Sequence, residues 1–211
     1  MRIAVVGTQR SGKTTLVKCF EECLCTHIVQ EAATDLIEKH GSEIVYDPRF
    51  QDLLFEEQTR REREANRLLG DGKIKVWLCD RTIIDNLAYI RYLRKTYSGD
   101  QDPESVYPIR DKWLTYIREN PFDLILLCDP SDISFVQGMN VAWESDELDD
   151  ELRIRTDIHE LYLEVLTELG VNYEIISGTV EERATYVEGV LQERGITITK
   201  EGTLCQPEGE M

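Results

Sequence analysis

Nowhere in this 211-residue sequence do about 18 or more apolar residues run together, so no membrane-spanning helix is expected. The start of the chain lacks the basic, apolar and small-residue succession of a secretory signal. A strand-like run, RIAVV, begins at Arg2 instead, and a cytoplasmic location is the expectation. Basic residues are scarce: 24 Lys and Arg stand against 41 Asp and Glu, a formal net charge of −17. Such a chain is a poor candidate for tight non-specific binding to nucleic acid or anionic membrane, although a local basic groove is compatible with it. The six cysteines are Cys19, Cys23, Cys25, Cys79, Cys128 and Cys205. In an intracellular protein they do not read as a disulfide framework, and the cluster Cys19, Cys23 and Cys25 has no second set at metal-ligand spacing. Cys79 and Cys128 end apolar runs and are expected to be small buried residues. No guanine-reading N-K-x-D motif, internal repeat or low-complexity tract is present.

What is present is ordinary globular composition, 41% apolar and 31% charged residues, in a length that suits one domain. Apolar, β-branched runs alternate with helix-like ones. Strands are expected at RIAVV, at HIVQE (27–31), at KIKVWLCD (73–80), at FDLILLCD (122–129) and at NYEIISG (172–178). Between them lie a helix to about Leu24, AATDLIEKH closed by Gly41, a long charged helix over 48–70, helices over 82–97 and 107–120, one through Glu168, and a last one from Val180. SGDQDPESV, 98–106, reads as a loop. The alternation predicts an α/β fold: about five parallel strands with helices on both faces, joined by right-handed crossovers. A single domain over 1–197 is expected, with a lid-like segment near 134–156 and a disordered tail over 198–211.

The strongest local signal is GTQRSGKTTL, residues 7–16, which fits G-x-x-x-x-G-K-[ST]. Gly7 and Gly12 let the chain turn tightly, successive N–H groups then cradle an anion, and the following helix adds its positive end. The motif has meaning only between a strand and a helix, and both flanks are there. It implies a nucleoside triphosphate held by Gly7, Arg10, Ser11, Gly12, Lys13, Thr14 and Thr15, with Lys13 on the outer phosphates and the Thr14 hydroxyl on Mg²⁺.

In a parallel sheet, ligands bind beyond the carboxyl ends of the strands. Three strands deliver polar residues to that edge: Glu31, Asp80-Arg81 and Asp129. Asp80 suits either Mg²⁺ binding or proton abstraction, and Arg81 an anionic substrate or the transferring phosphoryl group. Glu31 fits a first-turn helix acid equally well, and Asp129, before Pro130, fits a turn. Arg153 and Arg155 follow the acidic run ESDELDDE. They read either as phosphate clamps at the base of a mobile segment or as partners of Asp149 and Glu151 one helical turn earlier. Phe50, Phe55, Gln58, Tyr89, Tyr92 and Tyr107 are candidates for stacking on or reading a base.

Taken in order, GTQRSGKTTL, CDRTIIDNLAY (79–89), FDLILLCDPSDISFVQ (122–137) and ISGTVEER (176–183) resemble the P-loop kinase-like ATPases grouped with the nicotinamide riboside kinase domain. That group is related more distantly to thymidylate and deoxynucleoside kinases. The resemblance spans roughly residues 1–195. It implies ATP and Mg²⁺, with phosphoryl transfer to a nucleoside-like hydroxyl or phosphate, Asp80 near metal or acceptor, and Arg183 near the adenine. Where such kinases tend to carry an Arg three residues after the second-strand acid, Ala32, Ala33 and Thr34 follow Glu31 here. Where they tend to carry an Asp-Gly-x-Arg element after the fourth strand, Val136-Gln137-Gly138-Met139-Asn140 stands here, and the arginines arrive later.

Three functions compete on this reading. One is a kinase for a nucleoside or nucleotide. The second is a kinase for a polynucleotide hydroxyl, favoured only by Arg60, Arg61, Arg63 and Arg67, which are interleaved with Glu62 and Glu64 and so read as a solvated helix face. The third is a nucleotide-dependent switch with no acceptor.

Overall fold

Alternating burial along the strands sets the layers of the fold. In β1 (Arg2–Val6), Ile3 and Val5 face one layer while Ala4 and Val6 face the other, and none of the four is exposed. The computed structural model of the chain describes residues 1–47, 49–96, 110–131 and 148–199. The expected loop at 98–106, Tyr107, residues 134–147 of the lid-like segment and residues 200–211 of the tail lie outside the described residues.

The elements follow in the anticipated order: α1 (Lys13–Lys18), β2 (Thr26–Val29), α2 (Ala32–His40), a 3₁₀ turn (Ser42–Tyr46), α3 (Phe50–Gly70), β3 (Val76–Asp80), α4 (Ile83–Thr96), α5 (Arg110–Glu119), β4 (Leu124–Cys128), α6 (Leu148–Leu169), β5 (Glu174–Ile176) and α7 (Val180–Glu193). The five strands form one parallel sheet in the order β2-β3-β1-β4-β5. α4, α5 and α6 cover one face, through Ile84, Trp113, Ile158 and Tyr162. α1 and α7 cover the other, through Leu16, Val17, Val187 and Leu191. Cys79 and Cys128 are fully buried, as their positions at the ends of apolar runs imply. Among the described residues no helix is long and apolar enough to cross a membrane.

Several boundaries differ from expectation, each for a local reason. α1 stops at Lys18 rather than near Leu24. Cys19 and Phe20 bond back to Leu16 O and Val17 O, and the Thr26 hydroxyl donates to Phe20 O and Cys23 O at 2.8 and 2.7 Å, closing a turn. β3 begins at Val76 because Lys75 N and Val76 N both reach Cys25 O in that same turn. The later half of α3 is not a solvated face throughout: Glu62 is 2% exposed, and its carboxylate accepts from Gln58 Nε2 at 2.9 Å and from Tyr116 OH at 2.8 Å. These two donors replace the water a charged group would otherwise keep. At the end of the fold, Ile198 packs on the α1–α7 layer and Leu24 N donates to Thr199 O at 2.8 Å.

Candidate active site

Strand order makes β1 the centre of the sheet, so the loop that leaves it sits between the ends of β3 and β4. Gly7 adopts φ 142°, and a Cβ there would meet Cys128 O at 3.0 Å and Ser11 Oγ at 3.1 Å. Gly12 (φ 80°) is the left-handed N-cap from which α1 begins. Gly7→Ala is therefore expected to lower stability by about 1–3 kcal/mol in urea unfolding and to weaken nucleotide binding with it.

The loop's carbonyls are held by side chains drawn from distant parts of the chain. Tyr162 OH on α6 lies 3.0 Å from Gly7 O. Lys13 Nζ and Ser11 Oγ donate to Thr8 O at 2.5 and 2.9 Å. Arg155 donates to Pro130 O at 2.8 Å and approaches Arg10 O at 3.5 Å. Arg183 spreads its guanidinium over Ser11 O (2.8 Å), Asp129 O (2.8 Å) and Gly178 O (3.0 Å). With these carbonyls engaged, and with Gln9 N and Ser11 N bonded to Tyr89 OH and Thr8 O, the amides of the first turn of α1 are groups left to face an anion. Burial lowers the Lys13 ammonium to about 8, and the neighbouring Arg81 guanidinium pushes the same way.

Asp80 ends β3 with 1% of its surface exposed. Its Oδ1 makes no hydrogen bond among the described residues, whereas the carboxyl is hydrogen-bonded by the exposed Thr14 hydroxyl. Burial pushes this carboxyl above its ordinary range, and the Thr14 bond and Lys13 oppose the rise. An orphaned buried carboxylate oxygen beside an exposed loop hydroxyl fits Mg²⁺, which takes one or two protein oxygens and leaves the rest to phosphates and water.

The next residues, Arg81-Thr82-Ile83-Ile84-Asp85, bring the donor side to the acceptor side. Arg81 takes a left-handed backbone (φ 67°) without being glycine, a strained conformation of the kind concentrated at functional sites. Its carbonyl accepts from Cys79 Sγ at 2.9 Å. Thr82 caps α4, accepting from Ile84 N at 3.0 Å, and Asp85 returns a bond to Thr82 N at 2.7 Å, a reciprocal cap with Asp in place of Glu. Asp85 Oδ1 also lies 2.6 Å from Tyr162 OH and 3.6 Å from Arg81 Nη1. The single phenolic proton of Tyr162 thus serves two buried acceptors, Gly7 O and Asp85 Oδ1. Tyr162→Phe is expected to cost about 1–3 kcal/mol in urea unfolding, since both lose their donor.

A cleft opens beside this segment, lined by Glu31, Leu54, Gln58, Arg81, Thr82 and Asn86. Glu31 heads α2 but makes no side-chain cap bond; it pairs with Arg81 Nε at 2.8 Å. Arg81 also stacks on Tyr89, its guanidinium carbon 5.4 Å from the ring centroid, and the Tyr89 hydroxyl donates to Gln9 Oε1 at 2.7 Å and accepts from Gln9 N at 3.0 Å. Cleft and loop are therefore braced by the same residues.

Lys13, Thr14, Asp80, Arg81 and Arg155 converge on this edge, with Arg183 tied to the loop from the α7 side. Arg153 does not join them: it is exposed on α6, and residues two apart on a helix do not share a face. Thr15 is likewise exposed, one residue into the helix beyond Thr14. Asp129 behaves as its sequence context implies, accepting from Ser131 N at 2.8 Å in a turn. Of the base-reading candidates, Gln58 lines the cleft, Tyr89 supports Arg81, and Phe50, Phe55 and Tyr92 are buried in the core. Tyr162 and Asn86 carried no sequence signal. Thr82 carried one, the T-x-x-D spacing of a helix cap.

A family profile described as an AAA domain matches residues 2–183. No sequence among curated proteins matches the chain. Among solved structures, thymidylate kinase from Candida albicans superposes with a TM-score of 0.62 at 17% identity, over 94% of this chain and 96% of that one. Deoxyadenosine kinase from M. mycoides with bound dATP gives 0.58 at 15% identity, over 91% of this chain and 100% of that one. NadR in complex with NR gives 0.69 at 18% identity over 94% of this chain but 52% of that one, so the chain spans about half of that protein. At such identities the likeness is one of fold: a P-loop NTPase fold shared with nucleoside and nucleotide kinases.

Proposed function

The chain belongs to this AAA domain family, and from that premise we propose that it is an ATP- and Mg²⁺-dependent phosphotransferase acting on a nucleoside- or nucleotide-type acceptor. The observation that carries the reading is the continuity of Asp80 with Arg81. One residue faces the phosphate loop through Thr14, and the next lines a cleft beside it.

In this reading Lys13 exchanges Thr8 O for the outer phosphates, and Arg155, already against the loop at Arg10, meets the charge that develops on the transferring group. Thr14 and Asp80 would hold Mg²⁺, which when bound neutralises charge on the triphosphate. Among the described residues Glu31 is the carboxylate that lines the cleft, and Asp80 does not line it. Glu31 is therefore assigned the proton of the acceptor hydroxyl and Arg81 the orientation of Glu31 and of the acceptor. The hydroxyl oxygen attacks the terminal phosphorus, the bond to the bridging oxygen breaks, ADP leaves, and the proton goes to Glu31. Arg183 braces the loop through its three carbonyl contacts.

Three of the four arginines that favour the polynucleotide reading are paired with acids. Arg60 is paired with Glu57, Arg61 with Glu57 and Asp35, and Arg67 with Glu64 and Asp71. A stripe neutralised in place offers little to a phosphate backbone.

The test is ADP release from Mg-ATP with nucleosides, nucleoside monophosphates, nicotinamide riboside, and single- and double-stranded DNA as acceptors. Turnover raised by a nucleoside-type member is expected. Slow hydrolysis indifferent to every member would leave a nucleotide switch as the better account.

A further inference from the structure

Gln58 stands in the wall of the cleft, and the way it is held specifies which end of its amide a ligand meets. Its Nε2 lies 2.9 Å from Glu62 Oε1, 3.0 Å from Cys79 Sγ and 3.4 Å from Arg81 O. A main-chain carbonyl only accepts, so the end of the amide that meets Arg81 O must be the NH₂ group, and that same group faces Glu62 Oε1. Cys79 agrees: its S–H is directed to Arg81 O at 2.9 Å, leaving the sulfur as acceptor toward Gln58. Both amide hydrogens are consumed inside the protein, and the carbonyl oxygen Oε1 is the group of Gln58 that remains for the cleft.

Glu62 completes this arrangement from one helical turn further along α3. It is almost fully buried, is not itself part of the cleft lining, and is fixed by Tyr116 OH at 2.8 Å. Asn86, also in the lining, has a buried Nδ2 that makes no hydrogen bond among the described residues. A carbonyl that accepts thus shares the wall with an amide that has an unmet donor. An edge carrying N–H beside C=O complements both, as in the lactam of a nucleobase or a carboxamide.

We propose that Glu62 is a positioning residue: it holds Gln58 with its carbonyl oxygen toward the cleft, so that the acceptor must offer an N–H there. This deepens the kinase reading above and rests on it for the identity of the cleft.

Binding is measured by calorimetry, without turnover, for two matched pairs. One is thymidine against 3-methylthymidine, the other nicotinamide riboside against its N,N-dimethyl counterpart, so that a lactam N–H and a carboxamide N–H are distinguished. In the wild-type protein the N–H member of at least one pair is expected to bind at least about tenfold more tightly than its methylated partner, because methylation leaves Gln58 Oε1 unpaired. In Glu62→Gln, which preserves shape but can turn either amide end toward Gln58, that ratio is expected to fall to about twofold or less. A purely structural loss would weaken both members alike and leave the ratio intact; that result overturns the proposal, as does failure of the wild type to bind or discriminate within either pair. If Glu62→Gln does not fold, Gln58→Met decides, and a ratio that survives in it overturns the proposal. Discrimination without phosphoryl transfer would remove the kinase reading and leave this one standing. Transfer without discrimination would do the reverse.

Discussion

Lys13→Ala is expected to lower phosphoryl transfer by at least about a thousandfold while the chain still folds. The ammonium is buried at 4% exposure against the loop it serves, where water is scarce and a charge aimed at developing negative charge is worth most. The fold survives because Thr8 O, which loses the amine, keeps the Ser11 hydroxyl at 2.9 Å. The same burial makes a second, independent readout. With Lys13 lowered to about 8 in the free protein, roughly half of it is neutral at that pH, and a bound triphosphate favours the charged form. Nucleotide binding near pH 8 should therefore take up protons, and uptake should fade toward pH 6, where Lys13 is already charged. Calorimetry in buffers of different ionisation enthalpy measures this directly, and Lys13→Ala should abolish it. Unchanged transfer in that variant would remove Lys13 from the chemistry.

Asp80→Asn is expected to cost at least about a hundredfold in turnover and to leave stability unchanged or higher by about 1 kcal/mol. The two effects have one cause. Oδ1 of Asp80 is buried with no hydrogen bond among the described residues, and burial raises the carboxyl above its ordinary range. A group whose folded pKa is raised contributes its stability below the unfolded pKa and loses it as pH rises through the folded one. At neutral pH the ionised Asp80 is thus a burden on the fold. Asn removes the burden and, with it, a charged oxygen for Mg²⁺ beside Thr14. The stability gain of Asn over Asp should accordingly shrink at acid pH, toward the unfolded carboxyl value, which urea unfolding at two pH values would measure. Full turnover in Asp80→Asn would assign the metal elsewhere.

What could be read without coordinates was local. The loop GTQRSGKTTL announces itself because its geometry depends on residues within one turn: glycines where the backbone goes left-handed or meets Cys128, and a lysine and threonine at fixed offsets. The strands are legible because a strand buried on both faces must be apolar along its length, and Val76–Asp80 and Leu124–Cys128 are buried throughout. Parallel order follows from the helices between them, and with it the rule that strand ends share one edge with the loop.

The remainder required the fold. Glu31 and Arg81 meet because β2 and β3 are neighbours in the sheet, so an acid that suits a helix start becomes half of an ion pair in the cleft. Arg183 reaches Ser11 across a sequence separation of 172, and Tyr162 reaches Gly7 across 155. No window of sequence carries such pairs. Glu62 is the sharpest case: its neighbours in sequence are charged, which reads as a solvated face, but α5 brings Tyr116 over it and turns it into a buried anchor. Backbone sterics and short-range hydrogen bonding are set by adjacent residues, so the sequence by itself determined the phosphate loop, the strands and their sense. Which side chains are desolvated together depends on how the layers close, so only the tertiary structure decided the partners of Arg81, the bracing of the loop and the end of Gln58 that faces the cleft.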